Sequence, residues 1–246
     1  MMLASSVFLL ALALAADHRW TTPEGFEQVL PDYLVPDDCP YGGFNPLYEE
    51  AIANALLGEH GRRTCGILLA SVNEPAWAVY LVADAASDGS RVIVKQLDED
   101  ASLDAAYLCG PIEQVARADA LPQVLEVRTR LATTALRWEA RIGPATAERV
   151  GRVWTELLAS VRHPSYAPSV GCGSPSYHLS HSSEELGDRR GRAIDPQPGM
   201  VLHELLLLVQ ELREVAVSGP SCRPAKVLAV ERRASAILDR LAAERR

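Results

Sequence analysis

Polar and apolar residues alternate in blocks that predict a mixed helix and strand chain. Asn45-Pro46 supplies a helix N-cap followed by proline at the first helical position. A helix over 46–58 follows, with Tyr48, Ile52, Ala55 and Leu56 on one face and Gly58 or Gly61 ending it. The short apolar runs Cys65 to Val72, Ala76 to Val82 and Arg91 to Lys95 read as strands, the last two joined by a hairpin loop carrying Asp88-Gly89. Leu125, Val127, Thr129 and Leu131 alternate with Glu126, Arg128 and Arg130, the period of a strand with one wet face.

Gly143-Pro144 opens a helix to about Arg162, with Val150, Val153, Trp154, Leu157, Leu158 and Val161 on its buried face. A Pro/Gly/Ser loop over 163–175 leads to a short strand, Ser176 to His181, and a polar loop follows over 182–199. A Leu-rich helix over 200–217 has a broad apolar face (Val201, Leu202, Leu205 to Val209, Leu212) and is expected at the centre of the core. The last helix, about 224–245, spaces Val227, Val230, Ala234, Ile237 and Leu241 at threes and fours, and too few heptads follow for a coiled coil. The expected fold is α+β: an antiparallel sheet of about four to five strands, helices packed on one face, and a C-terminal helix docked on the body.

The N-terminus adds a destination. Residues 3–16 carry no charge, include Val7 to Leu14, and end in small residues before Asp17-His18-Arg19, as a cleaved secretory signal does. The run is too short for a membrane anchor, so no transmembrane anchor is expected after cleavage. The expected organisation is a signal at 1–16, an extended arm at 17–45, one α+β domain at 46–222, and a terminal helix at 223–246. Localisation is then periplasmic or extracellular.

Export changes how the cysteines read. Cys39, Cys65, Cys109, Cys172 and Cys222 become disulfide candidates, enough for two bridges and one free thiol. A bridge from Cys172 to Cys222, tying down the last helix, is the preferred pairing.

Composition and charge exclude more than they assign. The 246 residues are 48% hydrophobic and 23% charged, an ordinary globular composition. A formal charge of −8 opposes nucleic acid, and the arginines at 189, 190 and 192 sit among acids. Only Lys95 and Lys226 are lysines among 24 basic residues, a bias that points to a GC-rich bacterial genome.

No motif demands a reaction. His203-Glu204 lacks the second histidine of a zinc helix, and His178 and His181, three apart on a strand, fall on opposite faces. The loop at 84–95 fails as a calcium site because Ala86 and Lys95 occupy ligand positions. No metal and no cofactor is expected. Cys172 upstream of His178 is the one cluster that suggests a nucleophile. The loops around the 176–181 strand, with Tyr166, Tyr177, His178 and His181, form the candidate binding surface.

Val153-Trp154-Thr155-Glu156-Leu157-Leu158, the Gly-rich loop running into Tyr177, and Pro196-Gln197-Pro198-Gly199 ahead of the Leu-rich helix resemble exported proteobacterial proteins of unknown function. The resemblance covers about residues 120–215 and implies no activity. The functional expectation is an exported, non-enzymatic protein that binds another protein, in its sharpest form an inhibitor or immunity-type protein. A secreted enzyme using Cys172 or a histidine near it, and an envelope structural component, are the alternatives.

Overall fold

The three continuous apolar strand segments at the centre of the chain hydrogen-bond to one another, and the rest of the molecule is arranged on both of their faces. The computed structural model describes residues 18–21, 27–37, 46–58, 65–70, 75–83, 89–98, 135–164, 175–183 and 187–245. Two short strands, β1 (His18–Thr21) and β2 (Glu27–Leu30), pair with each other. Helix α1 (Pro46–Leu56) precedes β3 (Gly66–Ala70), β4 (Trp77–Ala83), β5 (Ser90–Gln96) and β6 (Leu136–Ile142). Helix α2 (Pro144–Ala159) leads to β7 (Ser176–Ser183) and β8 (Gly187–Ile194), and helices α3 (Val201–Val217) and α4 (Arg223–Glu244) end the chain.

β3 to β8 form one six-stranded sheet in the order β6-β5-β4-β3-β7-β8, with every neighbouring pair antiparallel. The α+β class with an antiparallel sheet is therefore present, with more strands than expected. Two of the six were not expected: β6, in a segment between the expected strand at 123–133 and α2, and β8, in the segment expected to be a polar loop. The first four residues of β8 are exposed and its last four buried, so Gly187-Asp188-Arg189-Arg190 carries no apolar alternation to reveal it. The expected strand at 123–133 lies outside the described residues.

Helices cover both faces, which corrects the one-face expectation. Ile67, Leu69, Trp77, Val79, Leu81, Val92 and Val94 face α2 and α3 in the main core. Their alternating neighbours Leu68, Ala78, Tyr80 and Ile93 bury against Ala51, Ile52, Ala55 and Leu56 of α1. Strands buried on both sides read as continuous apolar runs, and β3 to β5 do. Trp154 of α2, 1% exposed, ties its helix to the sheet by donating from Nε1 to the Gly66 carbonyl at 3.0 Å. Outside α2 and α3 lies α4, with Val230, Ala234 and Ile237 buried against them.

Residues 32–37 of the N-terminal arm pack into the body. Leu34 and Val35 are fully buried, and Val35 exchanges two backbone hydrogen bonds with Arg192, pairing part of the β8 edge. Gly191 makes this approach possible, because a β-carbon there would meet Val161 at 2.8 Å and Leu34 at 3.1 Å. Helix α3 has no side-chain cap of its own at Met200. Asp32 of the arm supplies one, accepting from the backbone N–H groups of Val201 (3.0 Å) and Leu202 (3.2 Å). Arg240 of α4 donates to the same carboxylate at 3.3 Å.

Candidate functional site

The two-residue period of β7 sends its side chains to two different environments. Ser176, His178 and Ser180 pair across the strands with Ala70, Leu68 and Gly66, and share the α1 side of the sheet. Tyr177, Leu179 and His181 face the side of α2 and α3. The two histidines thus lie on opposite faces.

On the α1 side, His178 is the centre of a polar cluster drawn from four segments. Its Nδ1–H donates to Asp37 Oδ1 of the arm at 2.8 Å, and its Nε2 lies 3.2 Å from Ser176 Oγ and 3.6 Å from Glu49 Oε1 of α1. Glu49 is also 3.9 Å from Arg192 Nη1, a guanidinium that is 2% exposed. Burial alone would pull the imidazole down, but the hydrogen bonds and charges of Asp37 and Glu49 prevail and push its pKa up to about 9. Asp37 is correspondingly lowered: burial pushes it up, and the hydrogen bond and charge of His178, with Arg192 and Arg190, outweigh that.

Serine, histidine and aspartate in hydrogen-bonding sequence have the outline of a hydrolytic relay, but the charge state rules against that chemistry. A general base must be neutral before it can take a proton from serine. His178 is already an imidazolium at neutral pH, and Ser176 is fully buried. The cluster is an ionic lock that fastens arm, α1, β7 and β8 together.

On the opposite face, Cys65 Sγ lies 3.1 Å from His181 Nδ1. Burial pushes the thiol up to about 12 and pulls the imidazole down, so both groups favour their neutral forms at pH 7. Cys65 and Cys222 are free thiols, the latter exposed at the start of α4. This corrects two of the five disulfide candidates and removes the expected bridge to Cys222. Cys39, Cys109 and Cys172 lie outside the described residues, as does the nucleophile reading of Cys172. Among the described residues, no three His, Cys, Asp or Glu side chains are placed to hold a metal ion, and no helix is long and apolar enough to cross a membrane.

One open feature among the described residues is a groove where the sheet meets α3. Trp77, Leu69 and Tyr177 sit side by side on adjacent strands, with Leu69 opposite both aromatic residues. Above them α3 contributes His203, Leu206, Leu207, Gln210 and Arg213, enclosing about 250 Å³. The Trp77 and Tyr177 ring centroids are 6.4 Å apart with the planes tilted by 52°. The Arg213 guanidinium stands 4.8 Å above the Trp77 ring and donates to Gln96 Oε1 at 3.0 Å. The lining mixes apolar, aromatic, imidazole, amide and guanidinium groups, a surface that can receive a side chain. No protein-family model, curated protein or solved structure matches the chain.

The expected binding residues do not converge on one surface. Tyr177 lines the groove, His178 is locked beneath α1, His181 pairs with Cys65, and Tyr166 lies outside the described residues. Sequence reading missed Trp77, Gln210 and Arg213 because they belong to segments that read as core strand and core helix. It missed Asp37 and Glu49 because their role depends on how the arm and α1 meet β7.

Proposed function

We propose that this chain is an exported protein, periplasmic or extracellular, that binds another protein and catalyses no reaction. The observation that carries the reading is the groove in which Tyr177 and Arg213, both part-exposed, pack on the buried Trp77 ring (8% exposed) between two rigid elements. Trp, Tyr and Arg are the residues that dominate protein interfaces, because each combines a large flat surface with a polar edge. The imidazolium state of His178 and the neutral thiol of Cys65 support the absence of catalysis. Export rests on the apolar segment at 3–16 and its small-residue end. An inhibitor of a secreted activity, of the immunity type, is the sharpest form of this function.

A secreted thiol enzyme is the second reading, favoured by the 3.1 Å approach of Cys65 to His181. It requires His181 to take the thiol proton during attack on a substrate, and labelling of Cys65 by an acyl-type thiol probe on the folded protein would support it.

The test of the binding function uses the chain from Asp17 onward as bait against envelope and secreted fractions of its host and close competitors. Wild type is compared with Gln210→Trp, which fills the groove from an exposed helix position. One stoichiometric partner retained by wild type and lost by the variant is expected. No retained protein at micromolar bait, or equal retention by both, overturns it.

A further inference from the structure

The groove continues beyond the aromatic stack. A second depression of about 360 Å³ shares Gln210 and Arg213 with the first and extends to Glu214, Val217, Ser218 and Lys226. From His203 to Val217 the track follows α3 for about 21 Å, at 1.5 Å rise per residue. An extended segment of about six residues spans that length.

Two features define what fits it. Among the described residues, the exposed large apolar side chains are Leu136 at 54%, Val217 at 57% and Leu228 at 45%. Two of the three flank this track. Val217 lies one helical turn beyond Arg213, and Leu136 stands directly across from Gln96, the residue that holds the Arg213 guanidinium. The second feature is sign: Arg213, Lys226 and Glu214 line the track, a net of one positive charge, with Lys226 paired to Glu214 and also facing Glu211, on a chain whose overall charge is −8. A rim of net positive charge beside apolar side chains, on an otherwise acidic protein, favours the opposite charge.

We infer that the groove takes an acidic, apolar segment of the partner protein, its apolar side chains seated against Tyr177, Leu206 and Val217 and its carboxylates facing Arg213. The inference rests on the binding function proposed above and gives that partner its chemistry. A second copy of this chain is the weaker occupant, because a two-fold contact would set the same cationic rim against itself.

The probe is a fluorescein-labelled 12-residue peptide alternating Leu or Phe with Asp or Glu, compared with the same peptide carrying Lys in place of every acid. Binding is read by fluorescence anisotropy on the folded chain from Asp17 onward. The acidic peptide is expected to bind at least about tenfold more tightly than the basic one, and to weaken as salt is raised from low to physiological ionic strength. Gln210 is exposed, so its variants leave the fold intact. Gln210→Glu is expected to weaken the acidic peptide roughly threefold and Gln210→Lys to strengthen it by a similar factor.

Equal binding of the two peptides, or no response to either Gln210 variant, overturns the inference. Failure of the acidic peptide alongside a natural partner that Gln210→Trp releases also overturns it, while leaving the binding function standing. A concentration-dependent dimer that Gln210→Trp abolishes assigns the groove to a second copy and overturns it as well.

Discussion

His178 donates a 2.8 Å hydrogen bond to Asp37, a residue 141 positions away on the N-terminal arm. Through this contact, and through Glu49 on the other ring nitrogen, one imidazolium joins the arm, α1 and the sheet. Replacing His178 by Ala leaves two carboxylates beside Arg192 without their central cation. A hydrogen bond to a charged group contributes about 1.5–3 kcal/mol, and the partial exposure of Asp37 places the loss toward the low end. Chemical denaturation of His178→Ala is expected to show a loss of that size.

The same lock predicts a pH profile. The folded His178 pKa of about 9 lies above its ordinary value of 6.5, so its contribution is complete below pH 6.5 and declines as pH rises through 9. Asp37 is held below its ordinary 3.8, so its contribution is present above that value and is lost as pH falls through the lowered one. Denaturant midpoints measured from pH 3 to pH 10 are expected to form a plateau that falls at the alkaline side. In His178→Gln the alkaline decline between 6.5 and 9 is expected to flatten.

Asp32 acts on α3 as a cap borrowed from the arm. Asp32→Ala removes acceptors for Val201 and Leu202 and the partner of Arg240. Cap loss costs about 0.5–2 kcal/mol. Thermal unfolding of the variant is expected at lower temperature, with hydrogen exchange faster in the first turn of α3.

Cysteine chemistry is expected to separate the two described thiols. Cys222 is exposed and reacts with iodoacetamide in the folded protein, whereas Cys65 is shielded and held neutral, and reacts only after unfolding. Peptide mapping after non-reducing denaturation is expected to find both labelled. Fast labelling of Cys65 in the native state would contradict its neutral pairing with His181.

Much of this architecture is legible in the chain. The apolar runs give β3, β4 and β5, the Asp-Gly turn lies in the segment joining a paired hairpin, and Pro144 marks the start of α2. β6 was not read, although its signal was there: Leu136, Trp138, Ala140 and Ile142 alternate with Arg137, Glu139 and Arg141, as a one-sided edge strand should. β8 had no such signal, because half of it is exposed on an edge and its glycine and arginines carry no pattern. The arm hid its role for a different reason. Leu34 and Val35 sit among prolines and aspartates, and only their meeting with Gly191 and Arg192 makes them core.

The candidate site was harder to read than the fold. Tyr177 was visible as an interface residue, but its partners Trp77 and Arg213 come from segments 100 and 36 positions away that read as buried elements. A cation stacked on an aromatic ring is a property of tertiary packing, and no local pattern announces it.

The most direct test of the groove places a photoreactive p-benzoylphenylalanine at Gln210 or, on α4, at the exposed Leu228, in the chain from Asp17 onward. Each variant is irradiated with the host's envelope and secreted fractions. A single crosslinked protein from position 210 and none from 228 is the predicted result. Crosslinking from 228 alone, or the same products from both positions, would contradict the groove as the binding surface.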